Sequence, residues 1–139
     1  MGAPQSTEEL IDNFSLFDEW EDRYRYIIEL GKGLPPMDDA LKTPETKVEG
    51  CTSQVWFVPR RVERDGETVM EFLGDSDAHI VRGLIAILFT MAGGKTPGEL
   101  KQFDFEGNLA ALGLDQHLSP SRTNGLYAMV RRLREFAAA

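Results

Sequence analysis

One cysteine, Cys51, is all that this chain of 139 residues contains. That excludes an internal disulfide framework and a metal-cluster site built from four protein thiolates, and it suits a reducing compartment. Histidine is nearly as scarce. His79 and His117 stand alone, without the i,i+4 pairing or the cysteine pairs of the common zinc motifs. Basic charge is in deficit, with 15 Lys and Arg against 23 Asp and Glu and a formal net charge of -8 at pH 7. Phosphate neutralisation needs clustered cations, so a nucleic-acid surface is argued against. No apolar run approaches the ~20 residues that cross a bilayer. The most apolar segment, Ile80 to Ala92, is short, carries Arg82 and reads as a buried helix. The first residues, Met1-Gly2-Ala3-Pro4-Gln5-Ser6, lack the basic region and apolar stretch of a secretory signal, and Pro4 spoils an otherwise superficial acylation pattern. These absences lead us to expect a cytoplasmic protein with no membrane or nucleic-acid contact.

What is present suits one domain over residues 1–139, with 42% hydrophobic and 27% charged residues, no internal repeat and enough length for one core. Ser6 followed by Glu9 predicts a capped helix to about Phe14. Asp18-Glu19 opens a second, in which Trp20, Tyr24, Ile27 and Ile28 recur at helical spacing before Gly31 or Gly33, with Glu19, Asp22, Arg23 and Glu29 on its solvated face. Pro35, Pro36 and Pro44 mark an extended connector pinned by Leu34, Met37 and Leu41. Strands are expected over Gln54 to Glu63 and Thr68 to Leu73, joined by Arg64-Asp65-Gly66-Glu67. Val48 to Gly50 is expected to add a short third strand, and Pro59 to mark an edge or a bulge.

Gly74-Asp75-Ser76-Asp77 then offers capping side chains to a helix reaching about Ala92. Thr96-Pro97-Gly98-Glu99 and Ser119-Pro120 open later helices, with a short one near Phe105 to Leu112 between them. The last helix carries an apolar stripe of Leu126, Met129, Val130, Leu133 and Phe136, and its Arg131, Arg132 and Arg134 suit the negative end of the helix dipole. Helices, antiparallel strands, then helices is an α+β order: a small antiparallel sheet of about three strands flanked by helices.

The stretch with chemical potential is Val48-Glu49-Gly50-Cys51-Thr52-Ser53-Gln54-Val55-Trp56. A thiol is partly ionised near neutral pH and needs no separate base to react, unlike a hydroxyl. Free cysteine is often simply core, yet a position between Gly50 and Thr52-Ser53-Gln54 reads as a loop tip. Gly94-Lys95-Thr96 is no phosphate loop, because its first glycine would fall at Phe89 and the segment follows a helix. His79 or His117 remains available as the base of a Cys-His dyad, and both with Asp75 and Asp77 as metal ligands, without a supporting motif. Three roles for the thiol follow: a carrier exchanging sulfur with a persulfide, a stand-alone thiol enzyme such as a peroxidase or hydrolase, and an inert core residue of a binding module.

Three stretches, Val48 to Trp56, Phe72 to Leu84 and His117 to Leu126, together resemble the SufE family of sulfur acceptor proteins. Arg23-Tyr24, Leu30-Gly31 and Thr96-Pro97 fit the same pattern in the same order. The resemblance implies a fold similar to the IscU-type scaffold, although a scaffold holds its cluster with several ligands and this chain has one cysteine. It implies that Cys51 carries a persulfide received from a cysteine desulfurase of SufS or CsdA type, stimulates that enzyme, and passes sulfur to an iron-sulfur scaffold of SufBCD type. Pyridoxal phosphate would belong to the desulfurase, and this chain would hold no cofactor and no metal. Arg122 would then support the Cys51 thiolate or serve docking, and Asp75 and Asp77 would shape the same region or cap a helix. Gly50 would set the loop conformation, and Ser53 and Gln54 would cap its backbone.

Overall fold

A computed structural model describes residues 3–139. Met1 and Gly2, on which the acylation pattern depends, lie outside the described residues. The first helix, α1 (Thr7–Ser15), begins where Ser6 Oγ accepts the Glu9 N–H at 3.1 Å and Glu9 in turn accepts from the Gln5 N–H at 3.2 Å. The next, α2 (Trp20–Lys32), starts at Glu19 with no side-chain cap, so the acidic signal at Asp18 is not used as expected. A 3-10 turn, Asp39–Leu41, interrupts the proline-rich connector. Met37 is buried there, but Leu41 is exposed and pins nothing.

Strands β1 (Val55–Arg64) and β2 (Glu67–Ser76) form an antiparallel hairpin in unbroken register from Val55 opposite Ser76 to Arg64 opposite Glu67. Asp65 and Gly66 both take positive φ, 50° and 82°, which matches the right-handed twist of the strands they join. Pro59 causes no bulge. Phe57 two residues earlier sends its N–H outward to Thr46 O at 2.9 Å, so Pro59 lacks a donor only on the open edge. The expected third strand shrinks to an isolated bridge between Lys47 and Trp56, with the Val48 N–H on Val55 O at 2.8 Å. A turn at Thr43 to Thr46 precedes that bridge, and Gly50 at φ 95° turns the chain away after it. The sheet therefore has two strands, not three.

β2 also runs three residues past Leu73. Gly74 explains this, because a Cβ there would lie 2.6 Å from the Phe89 ring of α3 (His79–Ala92), so glycine lets strand and helix approach. α3 starts at Ala78 without a side-chain cap and is buried from Ile80 to Ala92 over most of its length. It crosses α2 at backbone contact: a Cβ on Gly83 would collide with the Ile27 carbonyl oxygen.

Helix α4 (Pro97–Gln102) carries the full reciprocal cap of Thr96 and Glu99. It is followed by α5 (Phe105–Ala111), a four-residue helix α6 (Leu114–His117) entered through Gly113 at φ 77°, and α7 (Pro120–Ala138), capped by Ser119. α7 has no basic residue in its last turn, so the arginine trio does not serve the helix end. Arg134 instead binds both Glu106 oxygens at 2.7 Å, and Arg132 pairs with Glu135 at 3.2 Å. Leu84, Ile85 and Leu88 of α3 join Met129, Leu133, Phe57 and Ile27 in one core cluster. No helix among the described residues is long and apolar enough to cross a membrane.

Candidate functional site around Cys51

Cys51 follows Gly50 in the loop that enters β1, and its side chain turns inward until it is half-buried against α7. The Sγ donates to Gly125 O at 3.5 Å. The sulfur lies close over the helix at this point: a Cβ on Gly125 would meet Sγ at 3.6 Å, ordinary van der Waals contact. Val81 and Leu84 of α3 and Met129 of α7 form an apolar floor, while Thr52, Ser53, Ser121 and Arg122 form the rim. The pocket volume is about 30 Å³. The Thr52 and Ser121 hydroxyls share a hydrogen bond that ties the loop to the first turn of α7.

The loop leaves this pocket through Gln54. Its N–H donates to Asp77 Oδ1 at 3.0 Å, and the Asp77 N–H returns to Gln54 O at 3.3 Å. Asp77 therefore fastens the loop backbone instead of capping α3, and the Gln54 side chain is not the cap. Asp75 lies within β2 and is committed elsewhere, to Lys42 Nζ at 3.0 Å and Arg82 Nε at 3.2 Å. Arg82 Nε is buried, and its contact with Asp75 is a charge pair without hydrogen-bond alignment. Arg122 lines the rim but donates to Tyr24 Oη at 3.1 Å. Of the residues expected around the thiol, Gly50, Ser53 and Arg122 are beside it, Gln54 and Asp77 act one step along the loop, and Asp75 serves a different network.

Neither histidine lines the pocket. His117 stacks on Trp20 with ring centroids 4.4 Å apart, and His79 is exposed at the start of α3. No group of three potential metal ligands exists among the described residues. Burial pushes the Cys51 thiol up, with the Arg131 guanidinium pulling against it. Sequence reasoning missed Thr52, Ser121, Gly125, Val81, Leu84 and Arg131. Only Gly125 carried a readable signal, since glycine inside an apolar helix stripe costs stability and often marks a close approach.

The site is thus a lone, half-buried thiol on a loop, set over two helices of an α+β fold. The chain belongs to the SufE family: the model of that Fe-S metabolism associated domain matches residues 8–137. It is 47% identical over 132 residues to an uncharacterized SufE-like protein of Rhizobium meliloti (strain 1021), covering 95% of this chain and 94% of that one. A second uncharacterized SufE-like protein, from Rhizobium etli, is 48% identical over 132 residues, covering 95% of this chain and 89% of its own length. The fold is similar to the solution structure of a hypothetical protein from Thermus thermophilus, with a TM-score of 0.73, 18% identity and coverage of 99% of this chain and 96% of that one.

Proposed function

We propose that this protein is a sulfur acceptor that loads Cys51 with a persulfide from a pyridoxal-phosphate cysteine desulfurase of SufS or CsdA type, stimulates that enzyme, and relays the sulfur to an iron-sulfur scaffold of SufBCD type. It works as one cytoplasmic domain without a cofactor of its own. The Cys51 thiolate attacks the outer sulfur of the donor's persulfide. A new sulfur-sulfur bond forms at Cys51, the donor's bond breaks, and the donor leaves as a thiolate, so one sulfane sulfur moves and no external oxidant or reductant is consumed.

The observation that carries this reading is the pocket at Sγ. About 30 Å³ accommodates one added atom of sulfur size and falls far short of the ~300 Å³ and more typical of small-molecule substrate pockets. A larger cleft of about 470 Å³ lies beyond Gly50, but Cys51 does not line it. The stand-alone thiol enzyme needs a depressed thiol and a neighbouring base, whereas burial raises this thiol and no histidine lines its pocket. A carrier tolerates that state, because docking of the donor supplies the activation.

The test is intact-mass measurement after incubation with a cysteine desulfurase and cysteine, without reductant. We expect a gain of one or more sulfur masses, abolished by Cys51→Ser. An unchanged mass while the desulfurase itself becomes persulfidated would refute the proposal.

A further inference from the structure

Three arginines crowd the second half of α7, and two of them are occupied: Arg134 by Glu106 and Arg132 by Glu135. Arg131 is exposed and makes no ion pair or hydrogen bond among the described residues. It follows Gly125 and Ala128 at three-residue spacing on the α7 face that meets the Cys51 loop. Gly125 O receives the sulfhydryl, a Cβ on Gly50 would lie 3.1 Å from Ala128 Cβ, and the same Cβ would lie 3.7 Å from Arg131 Nη2. Helical side chains lean toward the amino terminus, which brings the guanidinium back along the helix toward the loop. An unpartnered cation is thereby held beside the residue preceding the thiol.

We propose that Arg131 is the positioning cation for the Cys51 sulfur, favouring its anionic form both as the attacking thiolate and as the loaded persulfide; this rests on the carrier reading above. The surroundings leave few rivals. α3 presents only Val81 and Leu84 to the pocket, and Arg122 of α7 is bonded to Tyr24 of α2. Glu45, Lys47 and Glu49 before Gly50, and Glu135 of α7, line the larger cleft that Arg131 also lines, none of them in an ion pair with it among the described residues, and Asp77 is engaged by the Gln54 backbone. Burial acts against charge on the sulfur, and Arg131 is the neighbour that opposes it.

The experiment is the pH profile of iodoacetamide alkylation on the isolated protein, where Cys51 is the one reactive sulfur. Arg131→Gln is expected to slow alkylation at pH 7 about threefold, the order expected of one solvent-exposed charge, and to converge with wild type at high pH. Arg131→Lys keeps the charge and should stay near wild type. Arg25→Gln, which removes the same unit of net charge from α2, should leave the profile in place. Superimposed Arg131→Gln and wild-type profiles, or an equal slowing at every pH, would overturn the assignment. Persulfide loading with an unmoved profile sinks Arg131 alone, and a moved profile without loading by a desulfurase sinks the carrier reading alone.

Discussion

The Cys51 sulfhydryl and the Gly125 carbonyl oxygen are 3.5 Å apart, so the reactive atom of the loop rests on the main chain of a helix 74 residues later. Burial there holds the thiol above its ordinary value, with Arg131 partly opposing it. A group raised on folding contributes stability below its unfolded value, ~8.5 for a thiol, and loses that contribution as pH rises through the folded value. Wild type is therefore expected to lose stability above about pH 8.5 in a way that Cys51→Ser does not. Urea midpoints across that range measure it, and alkylation of the native chain should show a higher midpoint than alkylation in urea.

The bond between the Thr52 and Ser121 hydroxyls makes a second prediction. Thr52→Val keeps the branched shape and removes the tie, at a stability cost of about 1 kcal/mol or less. Freed from α7, the loop should expose its sulfur more often, and alkylation should accelerate about twofold to fivefold. An unchanged rate would mean that the hydroxyl pair does not hold the loop.

Gly83 tests the frame beneath the site. A Cβ there would run into the Ile27 carbonyl oxygen, a backbone atom that cannot turn aside. Gly83→Ala should force α2 and α3 apart and cost about 3 kcal/mol or more, lowering Tm by roughly 10 °C. Thermal denaturation measures it. Gly98→Ala, with nothing within 4 Å of the new methyl group, is the matching harmless change.

Asp75 provides a pH-dependent counterpart at the acid end. Burial pushes its carboxyl up, but bonds from Lys42 and the Ser76 N–H, with the charges of Lys42 and Arg82, outweigh burial and leave it low. Stability from a depressed carboxylate is present above the unfolded value of ~3.9 and is lost as pH falls through the folded value. Asp75→Asn should cost about 1–2 kcal/mol at pH 7 and flatten the acid limb of the stability curve. It should also speed tryptic cleavage at Lys42, which Asp75 anchors through the 3.0 Å pair.

Local signals were readable and distant ones were not. The caps at Ser6, Thr96 and Ser119 and the Asp65-Gly66 turn act within four residues, so the helices they open and the hairpin were foreseeable, as was Cys51 on a loop. The extension of β2 through Gly74 depends on Phe89 packing against it, and Asp75 reads as a cap only until Lys42 and Arg82 are known to meet it. α6 is a four-residue helix too short to show a period. The pocket walls come from Val81, Leu84, Gly125 and Met129, positions 30 to 78 residues away from Cys51, and no spacing rule brings them together.

The floor beneath Cys51 is made of Leu84 and Met129, which also belong to the central core cluster. Shelter for the thiol and cohesion of the whole molecule thus come from the same side chains. A chain that begins to melt uncovers its sulfur in the same motion, so heat tolerance sets the temperature ceiling up to which the thiol itself stays sheltered from solvent.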